Sequence, residues 1–367
     1  MGRLFNQDAR NPGLEVGVSC AHRIAKYSLV RYTLANWKAK YSLVRYTLAN
    51  WKAKYSLVRY LHGKQKIGIL YVAIGAFMIS FSSVFVKLAH VQPTVIGFYR
   101  MLFGGIVLFA ITKSMRGRLW QGRRHFVLAL SCGLIFSLDL ILWHRSILYI
   151  GPGLATLLSS LQVFFLAGFS ILILKEKITL KSVFSVLLAV AGLFMIFGID
   201  WHVLDSLHKL GIFFGLVTAA CYAAYLLLLR RIVSKKGTFL VNNLATLTLI
   251  TITNMFIMGI ASVLFKESFS IPDTQSWLAL LGYGIFPQVL AWIFISAGLS
   301  RISPLHAGLI LILQPVLAFV WDIIFFARYT PFLEILGVVV SLSGIYAGTV
   351  QSGAYHKKNS DEMRAQI

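Results

Sequence analysis

Charged residues are scarce in this chain of 367 residues. Asp, Glu, Lys and Arg together make up 13% of it, about half the share found in a soluble domain. Acidic residues are the rarest, with 12 Asp and Glu against 35 Lys and Arg. The three cysteines, Cys20, Cys132 and Cys221, lack the spacing of a metal site or a disulfide framework. We therefore predict no metal site.

Three motifs of catalysis are also missing. The sequence contains no G-x-x-x-x-G-K-[ST] loop, no G-x-S-x-G elbow and no H-E-x-x-H helix. These absences argue against a P-loop ATPase, a serine hydrolase of that type and a zinc protease, and we predict no cofactor. An intramembrane enzyme using Asp139 and His144 is the weakest alternative, because no second carboxylate stands near them in the sequence.

Long apolar runs fill most of the chain, which is 58% hydrophobic with a mean hydropathy of +0.76. A run of about 20 apolar residues is long enough to cross a bilayer as a helix, and the backbone must be helical there because lipid offers it no hydrogen bonds. The short connections lead us to expect that successive helices are antiparallel neighbours. We predict ten spans, at Gly68–Leu88, Val95–Thr112, Phe126–Leu148, Gly153–Leu174, Val183–Gly198, Gly211–Leu229, Phe239–Phe265, Trp277–Leu299, Leu305–Phe326 and Phe332–Val350.

Basic residues are concentrated in alternate loops, and short loops rich in Lys and Arg face the cytoplasm. The loops after spans 2, 4, 6 and 8 hold Lys113, Arg116, Arg118, Arg123, Arg124, Lys175, Lys177, Lys181, Arg230, Arg231, Lys235, Lys236 and Arg301. The other loops hold only Lys87, Lys209, Lys266 and Arg328. We therefore predict an inner or plasma membrane protein with both termini in the cytoplasm.

Residues 1–66 form a basic N-terminal extension with a tandem repeat. The 14-residue sequence YSLVRYTLANWKAK occupies residues 27–40 and recurs unchanged at 41–54. It is either an amphipathic helix lying on anionic lipid or, as we favour, an incidental extension with little part in transport. The formal net charge of +23 is explained by this segment and the basic loops, so we predict membrane lipid and no nucleic acid among the partners.

The apolar region contains an internal duplication. At an offset of 152 residues Pro152 aligns with Pro304, Ala155 with Ala307, and Gln162 with Gln314. At an offset of 143, Gly68 aligns with Gly211. Because each half has five spans, the second half enters the membrane from the opposite side, so the halves are inverted repeats. We predict an all-α membrane protein with repeats at 67–199 and 210–350, followed by a cytoplasmic tail at 351–367.

The chain resembles the EamA-type branch of the drug/metabolite transporter superfamily. The resemblance is carried by FYRMLFGGI in span 2, LWHRSILYIGPGLATLLSSLQVFF across spans 3 and 4, and LILKEKITLKSVFSVLLAVAGLFMIFG after them. It implies ten helices, a central substrate cavity and alternating access without ATP hydrolysis. One departure is that Lys175-Glu176-Lys177 ends span 4 while Ala327-Arg328-Tyr329 ends span 9, so we do not expect the two gates to be chemically equivalent.

Polar residues at membrane depth are the candidates for a substrate site, because such groups are costly in lipid and usually face the interior of the bundle. Asp139 lies near the middle of span 3 and shares a helix face with Trp143, while amides at the centres of spans 4 and 9 can bind a substrate or join helices. The alternative for the charges is a structural ion pair between Asp139 and an arginine. The full candidate set is Arg100, Asp139, Trp143, His144, Arg145, Gln162 and Gln314.

We therefore interpret the chain as a non-enzymatic secondary transporter of a small polar organic metabolite, such as an amino acid, amine or carboxylate. A flippase for lipids or lipid-linked sugars has the same fold and stays open as an alternative. The sequence is equally compatible with a monomer and a homodimer.

Overall fold

The computed structural model describes Gly63 and residues 65–175, 179–197, 206–233 and 239–365, with side chains omitted at 152, 239, 240 and 350–365. Most of the N-terminal extension, including the tandem repeat, lies outside these residues, as do Glu176, Lys177, Asp200, His202 and Asp205. Within the described part of the chain the secondary structure is helical throughout, and no β-strand occurs.

Ten helices are long and apolar enough to span a membrane, as predicted. They are α1 (Gln65–Leu88), α2 (Pro93–Ser114), α3 (Arg123–Gly151), α4 (Gly153–Leu172), α5 (Leu180–Phe197), α6 (Ser206–Ile232), α7 (Val241–Leu264), α8 (Thr274–Leu299), α9 (Pro304–Phe326) and α10 (Phe332–Thr349). The last helix continues as helical backbone through Ala365, beyond the predicted span end at Val350.

Large apolar side chains cover the outside of the bundle. Leu172 is 78% exposed, Phe184 63% and Phe332 79%, although each lies in or beside a spanning helix. In water such surfaces would drive association, but in a bilayer they contact lipid chains, so the exposure agrees with a membrane location.

The main packing joins one half of the chain to the other. The most extensive contacts pair α3 with α6, α5 with α10, and α2 with α7, and α4 also packs against α9. The expectation that successive helices are neighbours is therefore wrong for α2 and α3, which touch only slightly. The reason is that glycines of α2 and α3 pack against the other repeat, Gly104 against Gln288 of α8 and Gly133 against Thr253 of α7.

The contact between α5 and α10 is reciprocal. A Cβ atom added to Gly192 would meet Gly337 and Ser341, while one added to Gly344 would meet Ser185 and Ala189. These are the same positions exchanged at an offset of 152, and the hydroxyl of Ser341 donates to the carbonyl of Ala189 at 2.9 Å. Such an exchange is what a two-fold axis imposes on an interface, so a pseudo-two-fold axis relates the repeats here.

A second symmetric pair of contacts lies at the other helix crossings. Gly68 of α1 packs against Arg301 and Ile302 after α8, and its equivalent Gly211 of α6 packs against residues 149 and 150 of α3. Because 149 and 150 precede 301 and 302 by the same offset of 152, the two crossings are copies of one contact. The duplication read from the sequence is thus present in the packing.

The two repeats also share the backbone conformation at the ends of equivalent helices. The described non-glycine residues with positive φ are Arg116, Lys175, Lys266 and Ala327, at the ends of α2, α4, α7 and α9. The N–H of Gly117 reaches back to the carbonyl of Thr112 at 2.8 Å, and at the equivalent end of α7 the N–H of Glu267 reaches Ser262 at 2.9 Å. Both are left-handed helix caps of the Schellman type.

Candidate functional site

A partly open cavity of about 300 Å³ lies in the half of the bundle where α1, α3 and α9 end. Its walls come from α1, α2, α3, α4, α6, α8 and α9. The polar lining consists of Ser80, Ser82, Ser83, Lys87, Arg100, Asp139, Thr156, Ser159, Ser160, Gln162, Thr218, Tyr222, Tyr283 and Gln314. The apolar lining consists of Ile79, Val86, Phe136, Leu140, Trp143, Ile147, Trp292, Leu311, Pro315 and Ala318.

Aromatic rings form the floor of this cavity. Phe136 stacks on Tyr225 with ring centroids 4.4 Å apart, and Trp292 meets Tyr225 edge to face at 5.0 Å. Phe136, Tyr225 and Trp292 belong to a buried apolar cluster that also contains Leu108 and Leu166. The cavity therefore ends against this cluster.

Arg100 lines the cavity wall from α2 and is only 5% exposed. Its Nε donates to Oε1 of Gln288 at 2.9 Å, and its Nη1 donates to the hydroxyl of Tyr283 at 3.0 Å. The guanidinium carbon also lies 4.7 Å from the centre of the Tyr283 ring, within the range of a cation–π contact. The positive charge of Arg100 is thus buried, and two side chains of α8 fix its position.

Asp139 faces the same cavity from α3 and is also 5% exposed. Within the described part of the chain it forms no ion pair, and its Oδ1 accepts no hydrogen bond. A structural ion pair with Arg100 or Arg145, the alternative that the sequence left open, is therefore not formed in this structure. The cavity wall thus carries an arginine and an aspartate that form no ion pair with each other.

Gln162 of α4 and Gln314 of α9 occupy equivalent positions, and both side chains line the cavity. Each follows a break in the helical hydrogen bonding, at Leu161 and at Ile312. Pro315, next to Gln314, contributes to the break in α9 because it lacks an N–H to continue the helix. Gln314 donates to the hydroxyl of Tyr222 at 3.4 Å. The Oε1 atom of Gln162 is buried without a hydrogen-bond partner among the described residues.

The seven candidate residues divide into two groups. Five line the cavity, namely Arg100, Asp139, Trp143, Gln162 and Gln314. His144 and Arg145 do not, because successive α-helical residues are rotated by about 100°. His144 is buried beside Gly97 and Met258, toward α2 and α7. Arg145 lies over the ring of Phe265 at 3.5 Å.

Several residues in and around the site were missed by sequence reasoning. Tyr283 contacts Arg100, and Lys87 at the mouth pairs with Asp322 of α9 at 2.8 Å. Glu267 lies in the loop after α7 and holds the first turn of α2. Their partners are about 170 or more residues away in the chain, so no local pattern marks them. Only the proline inside α8, at Pro287, signalled an irregular helix next to Tyr283 and Gln288.

Comparison with known proteins identifies the family. The EamA-like transporter family matches residues 66–198 and 209–348, which are the two five-helix halves. The chain belongs to this family. The resemblance seen in the sequence is thereby confirmed, and the chain is a membrane protein of ten spanning helices in two repeats.

Relatives agree with this assignment. The uncharacterized inner membrane transporter YhbE of Escherichia coli K12 is 28% identical over 316 residues, covering 80% of this chain and 94% of its own length. The uncharacterized transporter YcbK of Bacillus subtilis is 22% identical, covering 74% and 88%. A crystal structure 18% identical to this chain superposes with a TM-score of 0.64 over 79% of this chain and 98% of its own, which shows the shared fold.

Proposed function

We propose that this EamA-family chain is a secondary transporter of a small polar organic metabolite of the amino acid, amine or carboxylate class. The observation that carries the proposal is the arrangement of charge in the cavity. Arg100 and Asp139 are both buried in its walls, yet they do not pair with each other. The transporter needs no ATP hydrolysis and catalyses no reaction.

Burial of an unpaired charge costs several kcal/mol unless a partner or water compensates it. A solute with an amino group gives Asp139 that partner, and a carboxylate gives Arg100 one. The cavity volume of about 300 Å³ lies at the small end of the range for ligand pockets, which is about 300–1,000 Å³. Its size therefore suits a molecule such as an amino acid better than a peptide or a lipid.

Alternating access follows from the inverted repeats. The cavity opens at one end of the bundle, and the aromatic floor formed by Phe136, Tyr225 and Trp292 closes the other. In transporters of inverted repeats, the two halves exchange conformations around a fixed central site. With the orientation predicted from the basic loops, this structure faces outward, and both termini lie in the cytoplasm of an inner or plasma membrane protein. The working unit is a monomer or homodimer, and no nucleic acid takes part.

Uptake into proteoliposomes tests the proposal. The solutes are offered in matched triplets, namely an L-amino acid, the amine that lacks its carboxyl group and the acid that lacks its amino group. We expect saturable uptake of at least one class above that of empty liposomes. Asp139→Asn should lower uptake of amine-bearing members about tenfold, as expected for the loss of a charged hydrogen bond. Asp273→Asn is the same substitution outside the cavity and should leave uptake at neutral pH unchanged.

The flippase alternative is tested in the same vesicles. A fluorescent phospholipid placed in both leaflets reports scrambling when a membrane-impermeant quencher is added. Scrambling without uptake of any solute class would replace our proposal with a lipid flippase. Uptake of amine-bearing solutes that is equal in the wild type and Asp139→Asn would remove Asp139 from the site.

A further inference from the structure

Helix α8 contains one wide turn beside the cavity. Residues Gly284–Leu290 form a π-helical segment with Pro287 inside it, and the N–H of Ala291 bonds to the carbonyl of Phe286, five residues back. Proline cannot donate a backbone hydrogen bond and clashes with the preceding turn of an α-helix. The wide turn relieves that clash, and such turns are frequent at functional sites.

The wide turn changes which side chains share a face. In an α-helix, residues five positions apart are separated by about 140° around the axis. In a π-helix, residues five apart are hydrogen-bonded neighbours in successive turns. Tyr283 and Gln288 are five apart, and both reach the guanidinium of Arg100, at 3.0 and 2.9 Å. In a regular α-helix, one of these two side chains would point away from Arg100.

The amide of Gln288 is itself held in one orientation. Its Nε2 donates to the hydroxyl of Thr251 on α7 at 3.1 Å. Because a guanidinium can only donate hydrogen bonds, the amide oxygen must face Arg100. Gln288 therefore links α7, α8 and α2 in one chain of hydrogen bonds that is buried throughout.

This chain of hydrogen bonds explains why the two charges of the cavity stay apart. Opposite charges at low dielectric attract strongly. Arg100 and Asp139 line the same cavity, so an arginine free to rotate would turn toward the carboxylate. Nε and Nη1 of Arg100 are occupied on α8, and Nη2 meets no described acceptor. Oδ1 of Asp139 likewise meets no described donor.

We propose that Tyr283 and Gln288 form a clamp that holds Arg100 away from Asp139 and presents it to the carboxylate of a transported solute. Both are positioning residues, and through Arg100 they set the preference for acid-bearing over acid-free solutes. This inference rests on the proposed function and adds how the same site selects its substrate.

The first test measures selectivity by ligand-induced thermal shift in detergent, which needs no transport. The probes are 4-methylpentanoate and 3-methylbutylamine, which share a carbon skeleton and differ in the charged group. In Gln288→Met, which keeps the side-chain length, we expect affinity for the acid to fall about tenfold and affinity for the amine to be unchanged. Tyr283→Phe should act in the same direction but less strongly. Gln275→Met, the same change at an exposed position of α8, is the control.

The second test is independent of any solute. Without the clamp, Arg100 should turn and pair with Asp139, so the two substitutions should be coupled. Asp139→Asn should lower the unfolding temperature little in the wild type but clearly in Gln288→Met. The four proteins form a double-mutant cycle, which isolates the pairwise effect.

The outcomes separate the clamp from the proposed function. A wild type that binds neither probe, together with a coupled cycle, contradicts the charged-solute proposal and leaves the clamp standing. Equal losses for acid and amine in Gln288→Met, or an additive cycle in correctly folded protein, would overturn the clamp.

Discussion

Glu267 holds the beginning of α2, and replacing it should destabilise the fold more than replacing another partly buried glutamate on the same side. Its Oε2 accepts hydrogen bonds from the N–H groups of Thr94 and Val95 at 3.0 and 3.1 Å, and its Oε1 accepts one from the Thr94 hydroxyl at 2.7 Å. No side chain next to Pro93 in the chain caps this helix. A residue from a distant loop therefore satisfies the first turn and places a negative charge at the positive end of the helix dipole.

The size of the effect follows from burial. Thr94 is 1% exposed and Val95 0%, so in Glu267→Ala their N–H groups are left without water as a substitute. Each unsatisfied buried donor costs about 1–3 kcal/mol, and Arg145, which lies 3.9 Å from Glu267, loses this ion-pair partner. We expect a loss of about 3 kcal/mol in the free energy of unfolding. Glu267→Gln keeps an acceptor oxygen and should lose about 1 kcal/mol.

Unfolding in mixed micelles with a rising fraction of sodium dodecyl sulfate measures this difference. Glu334→Ala is the matched control. Glu334 lies at the start of α10 and forms an ion pair at 3.2 Å with the partly exposed Arg328. Pairs of that kind contribute at most about 1 kcal/mol. If Glu267→Ala loses no more stability than Glu334→Ala, the carboxylate does not hold α2, and the reasoning from buried donors is wrong.

Three further predictions concern packing, pH and topology. Gly344→Ala should lose about 2 kcal/mol of stability by forcing the backbones of α5 and α10 apart, whereas Gly168→Ala, with open space around it, should gain up to about 1 kcal/mol of helix propensity; unfolding in mixed micelles measures both. Two hydrogen bonds lower the pKa of Asp273 below its usual 3.8. The larger effect comes from the backbone N–H of Ser276 at the start of α8, and the smaller from the side chain of His90. Stability from this group is therefore present above pH 3.8 and lost as the pH falls through the lower folded value, so thermal unfolding of Asp273→Asn should be less sensitive to acid. A cytoplasm-active reporter fused after Ile367 should be active, and one inserted at Asp205 should be inactive.

Each of these has an outcome that contradicts it. Equal effects of alanine at the two glycines would mean that the contact between α5 and α10 is not tight. An acid profile of Asp273→Asn that matches the wild type would show that this cap does not contribute to folding. An active reporter at Asp205 would reverse the orientation predicted from the basic loops.

The sequence pairs Gln162 with Gln314 by the offset of 152, and both side chains line one cavity, because a repeat preserves the depth of each residue in its helix. His144 and Arg145 were grouped with Asp139 because they are close in the chain, but helical rotation turns them toward α2 and α7. Tyr283 and Glu267 had no local signal, since their roles depend on helices 170 or more residues away.

The sequence by itself determined the ten spanning helices, the two repeats and the family, because hydropathy, helix length and repeated residues are local properties of the chain. The tertiary structure decided which polar groups share the cavity, and that Arg100 binds Tyr283 and Gln288 instead of pairing with Asp139. That choice depends on the wide turn at Pro287 and on the packing of α2 against α8, so it arises only when helices from the two halves come together.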